Sequence, residues 1–252
     1  DSGITIRNLL CHTSGLADIY NIEDKGNVNQ QSLDQFISLL NDLPKVSEPS
    51  EQFQYNNTGY LLLGKIIEVV SNKSLGDFYR EHIFTPLKLQ HTFYLGDTFR
   101  PHRMSNSYEE DFTVFNQSHQ YFSEYRIAQG AGGAGGTLKE FGKWHKKLIE
   151  TGLLSASSIE EKTTPCKLSD GSEVEYSSGH YGLGVKMKNI NDIFVYSHGG
   201  AINGFVSDVF YAPKLDVTVL FATNTWKNPS KFRDELLDLV FEHYSEDADD
   251  RS

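Results

Sequence analysis

Apolar residues recur at helical spacing at positions 33, 36, 37, 39, 40 and 43, which predicts an amphipathic helix over residues 32–43. Ser32 is the expected N-cap and Pro44 the stop. A denser apolar run over residues 61–70 predicts a buried helix, and residues 75–84 predict another that ends before Pro86. Residues 137–151 carry Leu138, Phe141, Trp144, Leu148 and Ile149 along one stripe of a further amphipathic helix. Beyond Gly171 the period changes. Residues 181–187 alternate, and residues 193–197, 205–212 and 217–222 are rich in β-branched and aromatic side chains, so all four read as strands. Pro213-Lys214-Leu215-Asp216 is a hairpin turn between the last two. A closing helix is predicted over residues 232–244, with an acidic, frayed tail at 245–252. Residues 97–127 are polar and irregular and read as a long loop. A mainly helical lobe over 1–170 followed by sheet hairpins and a helix over 171–244 predicts one α+β domain across residues 1–252.

At 252 residues the chain is long enough to bury a substantial core. Its net charge of −11 argues against nucleic acid, because such binding rests on clustered Lys and Arg. The one short basic cluster, Lys143, Lys146 and Lys147, reads as a solvated helix face. No apolar run reaches the roughly 20 residues that span a bilayer. Cys11 and Cys166 are the only cysteines. Two cysteines make neither a disulfide framework nor a zinc pattern, and their pairing cannot be read from sequence. No cofactor is expected.

Four segments carry candidate chemistry. Phe53-Gln54-Tyr55-Asn56-Asn57-Thr58-Gly59-Tyr60 sets a phenol and an amide two residues apart, just ahead of the apolar helix. Read blandly, it is a capped helix start with Asn57 as N-cap. Ser197-His198-Gly199-Gly200-Ala201 lies between two predicted strands; its paired glycines let a ligand lie against the backbone, or simply form a hairpin. Gly130-Ala131-Gly132-Gly133-Ala134-Gly135-Gly136-Thr137 lacks the strand and the Lys-Ser/Thr ending of a phosphate loop, so nucleotide binding is set aside. His12 and Ser14, in Cys11-His12-Thr13-Ser14-Gly15, could be a base and nucleophile but fit a self-capped loop better.

Together with Ile4-Thr5-Ile6-Arg7-Asn8-Leu9-Leu10, Tyr181-Gly182-Leu183-Gly184 and Tyr211-Ala212-Pro213, these blocks resemble, in order, the serine β-lactamase and penicillin-binding-protein superfamily, notably its class C β-lactamase, D,D-peptidase and esterase branch. The resemblance implies an antiparallel sheet flanked by helices, beside a helical lobe. It implies Tyr55 as general base and acid, with Asn57 holding the substrate amide. His198 fills the third-motif position, Gly199 and Gly200 line the substrate strand, and the Ala201 N–H is half of an oxyanion hole. The Gly-rich turn with its Thr137 cap is structural on this reading. Phenols are weak bases near their usual pKa of about 10, so Tyr55 needs a cationic neighbour, which the family supplies as a lysine.

The family's nucleophile, a Ser-x-x-Lys on a core helix, has no counterpart: no serine in the chain has lysine three positions on. The family order of the remaining blocks implies that the motif lies upstream and that these residues lack the first strands and nucleophile helix. Two readings follow. One is part of a serine hydrolase acting on a β-lactam, a D-amino-acid peptide or a small ester; the other is a ligand-binding pseudoenzyme that keeps the cleft. The expected partner is a small molecule or peptide. An exposed apolar groove along residues 61–70 and the turn at Gly132-Gly133 is expected to drive self-association. The family implies an extracytoplasmic or membrane-associated setting, which the chain itself leaves open.

Overall fold

The computed structural model describes residues 3–19, 33–95, 104–108, 114–116, 129–150, 152–202, 204–225 and 229–249. In chain order the first half contains α1 (Ile6–Leu10), α2 (Leu33–Asn41), α3 (Asn57–Ser71) and α4 (Leu75–Tyr79), then a π-helical turn (Arg80–Phe84) and three short strands, β1 (Phe93–Tyr94), β2 (Ser107–Tyr108) and β3 (Val114–Asn116). Next come α5 (Gln129–Gly132), β4 (Ala134–Gly135), α6 (Leu138–Lys147) and α7 (Ala156–Lys162). The second half is β5 (His180–Tyr181), β6 (Lys186–Ile190), β7 (Ile193–Ile202), β8 (Phe205–Ala212), β9 (Val217–Thr223) and the closing helix α8 (Ser230–Asp249). Strands β5 to β9 form one antiparallel meander in sequence order. The architecture is the expected α+β arrangement, with helices on both faces of this sheet.

Alternation puts Val195, Phe210, Ala212 and Val219 on one face, where they bury Leu237 and Phe241 of α8. The opposite face buries Val185 and Tyr211 against Ile149, just past α6. A third cluster joins the halves: Cys11 and Cys166 form a disulfide, packed with Val174 and Tyr181.

Several boundaries differ from expectation, each for a local reason. Helix α3 starts four residues earlier, and its N-cap is Asn56, whose side chain accepts from Gly59 N; Asn57 is the first helical residue. The run at 75–84 is two pieces. The Thr85 N–H reaches back to Arg80 O at 2.9 Å, an i→i+5 bond that widens the turn ahead of Pro86. The predicted strand at 181–187 is two strands, because the chain reverses at Gly184, whose φ is +68°. Strand β7 does not end at residue 197 but continues through His198-Gly199-Gly200-Ala201, which pair with residues 206–209 of β8, so the motif is ladder rather than hairpin loop. The Gly-rich segment holds a helical turn and β4, which pairs with β1. Inside the expected loop at 97–127, β2 and β3 pair among the described residues. The tail expected to fray from residue 245 stays helical to Asp249. Ser32 lies outside the described residues, whereas Thr137 is the N-cap of α6, as expected.

The apolar face of α3 is unevenly covered. Leu61 is buried against Ile19, Leu39, Leu40 and Ala131. Leu62, Leu63, Ile66 and Ile67 are half-buried, and Val69 and Val70 are exposed.

Candidate functional site

The site grows from the start of α3. Asn56 ties three segments to this point. Its Nδ2 donates to Leu16 O at 2.7 Å, its Oδ1 caps Gly59 N, and its backbone N–H donates to His12 Nδ1 at 3.0 Å. These bonds hold the loop from residue 12 to 18 against the helix. Asp18 in that loop accepts from both the backbone N–H and the Nδ2 of Asn57. Carboxylates at helix N-termini are favoured by the unpaired N–H groups there.

Tyr55, one residue before the cap, projects into an aromatic cluster. Its ring centroid lies 4.2 Å from His12, 5.9 Å from Tyr176 in a stacked pair, and 6.3 Å from His198. The sheet brings His198 here from a position far along the chain, because β7 runs in register between β6 and β8. Burial, reinforced by the neighbouring Tyr176 and Asp18, pushes the Tyr55 phenol up to about 12. A phenol in that state is a proton donor until a cation is brought beside it.

His198 is neutral at physiological pH. Burial, then the positive charge of Lys186, lowers its pKa to about 4, although a bond from Nδ1 to Gly199 O at 2.7 Å opposes this; Lys162 adds a further lowering. Its Nε2 lies 3.3 Å from the Tyr181 hydroxyl, which lies 3.0 Å from His12 Nε2. Lys162, at the end of α7, donates to Leu183 O at 2.8 Å, and burial lowers it to about 8.

Tyr55 and His198 therefore meet, and Asn57 stands two residues from Tyr55 at the helix start. Gly200 and Ala201 lie exposed farther along β7. Gly199 is required for a reason internal to the fold: a Cβ there would come 2.2 Å from Asp208 Oδ1, while one on Gly200 would meet only Ser207 Oγ at 3.6 Å. Ser14 is buried and accepts from Leu16 N, and His12 is committed to Asn56 and Tyr181, which fits the self-capped loop. Sequence reasoning missed Tyr176, Tyr181, Lys162 and Lys186 as members of the site; the strand pattern around Tyr181 was visible, but not which polar groups its hydroxyl would meet. Among the described residues no group of three or more His, Cys, Asp or Glu could hold a metal, and no helix is long and apolar enough to cross a membrane.

A tyrosine-amide pair at a helix start, facing a His-Gly-Gly strand of an antiparallel sheet, is the arrangement of serine β-lactamases and penicillin-binding proteins. The family model described as Beta-lactamase matches residues 1–242, and the chain belongs to that family. Penicillin-binding protein 4* of Bacillus subtilis is 30% identical over 194 residues, covering 70% of this chain and 42% of the relative. Teichoic acid D-alanine hydrolase of Staphylococcus aureus is 28% identical over 221 residues, covering 86% of this chain and 50% of the relative. Among solved structures, the D-amino acid amidase of Ochrobactrum anthropi in complex with D-phenylalanine superposes with a TM-score of 0.74 at 25% identity, over 95% of this chain and 78% of that one. The chain thus spans half or less of the length of these two curated relatives.

Proposed function

We propose that these residues form the Tyr/Asn and third-element part of a serine hydrolase that transfers the acyl group of an amide or ester with a D-configured centre. The nucleophile, a Ser-x-x-Lys, comes from polypeptide outside the 252 residues. The observation that carries this reading is the 6.3 Å approach of Tyr55 to His198 across the helix–sheet boundary. No described residue hydrogen-bonds the Tyr55 hydroxyl, which leaves it free to pass a proton. A lysine entering with the nucleophile would be the cation that lowers its raised pKa. Asn57 Nδ2 is held by Asp18, so its carbonyl oxygen is the atom left to accept a substrate N–H. Ala201 N–H is assigned to the oxyanion, and Gly199 and Gly200 to the strand along which substrate lies. The choice of D-configured substrates rests on the names of the teichoic acid D-alanine hydrolase and the D-amino acid amidase.

The test compares the 252-residue chain with the longest natural polypeptide that contains it, using D-phenylalanine amide, a D-alanyl ester and nitrocefin. Turnover is expected only from the longer chain, on a D-configured amide or ester, with a loss of at least about 100-fold in Tyr55→Phe, the lower range for removing a general acid–base group. Saturable binding without turnover by the longer chain would favour the pseudoenzyme.

A further inference from the structure

Four hydrogen-bonded groups run in a line from the N-cap of α3 to β7, and their donors and acceptors can be assigned one by one. The fixed point is Gly199 O, 2.7 Å from His198 Nδ1. A carbonyl only accepts, so Nδ1 carries the proton. A neutral His198 then has a bare lone pair on Nε2, and the Tyr181 hydroxyl at 3.3 Å is its donor. With its single proton spent there rather than on the neighbouring Tyr60 hydroxyl, which donates to Leu10 O, the Tyr181 oxygen accepts from His12 Nε2 at 3.0 Å. His12 Nδ1 is left as the acceptor, and the Asn56 backbone N–H stands 3.0 Å from it. Asn56 O lies at the same distance from Nδ1. That oxygen belongs to the N-cap residue, whose carbonyl accepts the first intrahelical bond, and the opposite assignment, with His12 protonated on Nδ1, would leave two bare Nε2 atoms facing the single proton of the Tyr181 hydroxyl.

We propose that His12 and Tyr181 are positioning residues, a one-way hydrogen-bond relay that holds His198 neutral with its proton on Nδ1 and its Nε2 lone pair occupied. Both imidazoles carry opposite tautomers, His12 protonated on Nε2 and His198 on Nδ1. Neither ring has a nitrogen to spare for substrate. His198 therefore does not exchange protons with Tyr55, and the shuttle falls to the phenol alone. This assignment of the shuttle rests on the proposed function, but the relay does not. The surroundings reinforce it: Lys186 of β6, Lys162 at the end of α7 and His145 of α6 all face His198 with positive or titratable groups, and Tyr55 and His12 face it from the helical side. Of these, Lys186 and then Lys162 discourage a second proton on the ring.

Two-bond proton–nitrogen correlation spectra of ¹⁵N-histidine-labelled protein read tautomers directly and need no catalytic activity, so the relay and the hydrolase reading fail separately. They are recorded on the 252-residue chain or, if it gives no dispersed spectrum, on the longer natural polypeptide. At pH 7.5 the expected result is a single Nδ1–H form for His198 and a single Nε2–H form for His12. In Tyr181→Phe only Gly199 O still holds the Nδ1 proton, so a minor Nε2–H form of His198 is expected beside the Nδ1–H form, and its protonation midpoint is expected to rise by about one unit, a tenfold change in proton affinity. His12→Leu, which removes the donor from the other end, is the second variant: the Tyr181 hydroxyl gains freedom to turn and His198 is expected to lose its single form. An Nε2–H or doubly protonated His198 in the unsubstituted protein at pH 7.5 overturns the proposal whether or not either variant folds. So does a His198 spectrum unchanged in a folded Tyr181→Phe.

Discussion

Asp18 grips Asn57 twice, accepting from its backbone N–H at 3.0 Å and its side-chain Nδ2 at 3.1 Å. One carboxylate both satisfies a free N–H of the first turn of α3 and fixes the rotamer of the residue assigned to the substrate amide. Replacing Asp18 by Ala should therefore act on stability and on the site together. The loss of the helix-start contact is expected to cost about 0.5–2 kcal/mol, as for other N-terminal cap contacts. Urea denaturation of Asp18→Ala, with Asp18→Asn as the variant that keeps an acceptor, checks it; Asp18→Asn should recover part of the loss.

The Cys11–Cys166 disulfide spans a sequence separation of 155 residues. Cross-links that close long loops restrict the unfolded chain most, and removal of a native disulfide typically costs 2–5 kcal/mol. Reduction with dithiothreitol, or Cys166→Ser, is expected to lower stability by about 2–5 kcal/mol. Thermal melts with and without reductant measure it. An unchanged melt of the reduced protein would show that the bond is incidental to the fold.

Acid should unfold the protein before its carboxylates titrate. Folding lowers the pKa of His12, His145 and His198 from 6.5 to about 4, in each case chiefly through burial. The unfolded chain takes up these protons first, so their contribution is complete above pH 6.5 and is lost as pH falls from there to about 4. Each shift corresponds to at most about 3 kcal/mol. The denaturation midpoint is expected to rise only slightly from pH 7 to 8, where buried Lys162 begins to lose its proton in the folded state, and to fall steeply between pH 6 and 4.5. His145→Gln, whose ring bonds Tyr196 O at 3.4 Å outside the relay, should make that fall shallower.

Gly199 and Gly200 offer a paired comparison. Gly199→Ala forces a methyl group to within 2.2 Å of the Asp208 carboxylate, itself bonded to Arg233 at 3.0 Å. It is expected to destabilise by about 1–3 kcal/mol, the range for overpacking. Gly200→Ala meets ordinary contact distances and should change stability by under about 0.5 kcal/mol. Chemical denaturation of the two variants side by side checks the difference.

The 252-residue chain has no Ser-x-x-Lys. It is expected neither to hydrolyse nitrocefin nor to retain a fluorescent penicillin after denaturing electrophoresis. A labelled band would identify a nucleophile of another kind, and mass mapping of the labelled peptide would name it.

The fold was legible where a local rule decided it. The apolar stripes of α3 and α6, the Thr137 cap and the hairpin at Pro213–Asp216 follow from periodicity and turn chemistry, and all are present. Legibility failed where the deciding partner is distant in sequence. Paired glycines weaken a strand on local grounds, yet β7 runs through them because β8 supplies partners from Ser207 to Val209. Asn57 looked like the cap, but Asn56 takes that role because His12 and Leu16 fix it from another segment. The Cys11–Cys166 pair and the His12–Tyr181 contact on the line to His198 join groups 155 and 169 residues apart, and nothing in residue spacing encodes which polar atoms will face one another. The meeting of Tyr55 and His198 was expected from family resemblance, not from pattern.

Tyr60 has glycine at both of its ends. A Cβ on Gly130 would come 2.1 Å from its backbone oxygen, one on Gly184 would come 2.7 Å from its hydroxyl, and that hydroxyl donates to Leu10 O. Three remote stretches of chain are thereby gauged against a single ring, as parts are checked against a fixed template. Anyone grafting a new loop at 130 or a new turn at 184 inherits this tolerance: the graft fits only if it brings a bare backbone to the same point. The variable positions of a designed library belong elsewhere, on the exposed end of α3 at Val69 and Val70, where the molecule leaves room for change.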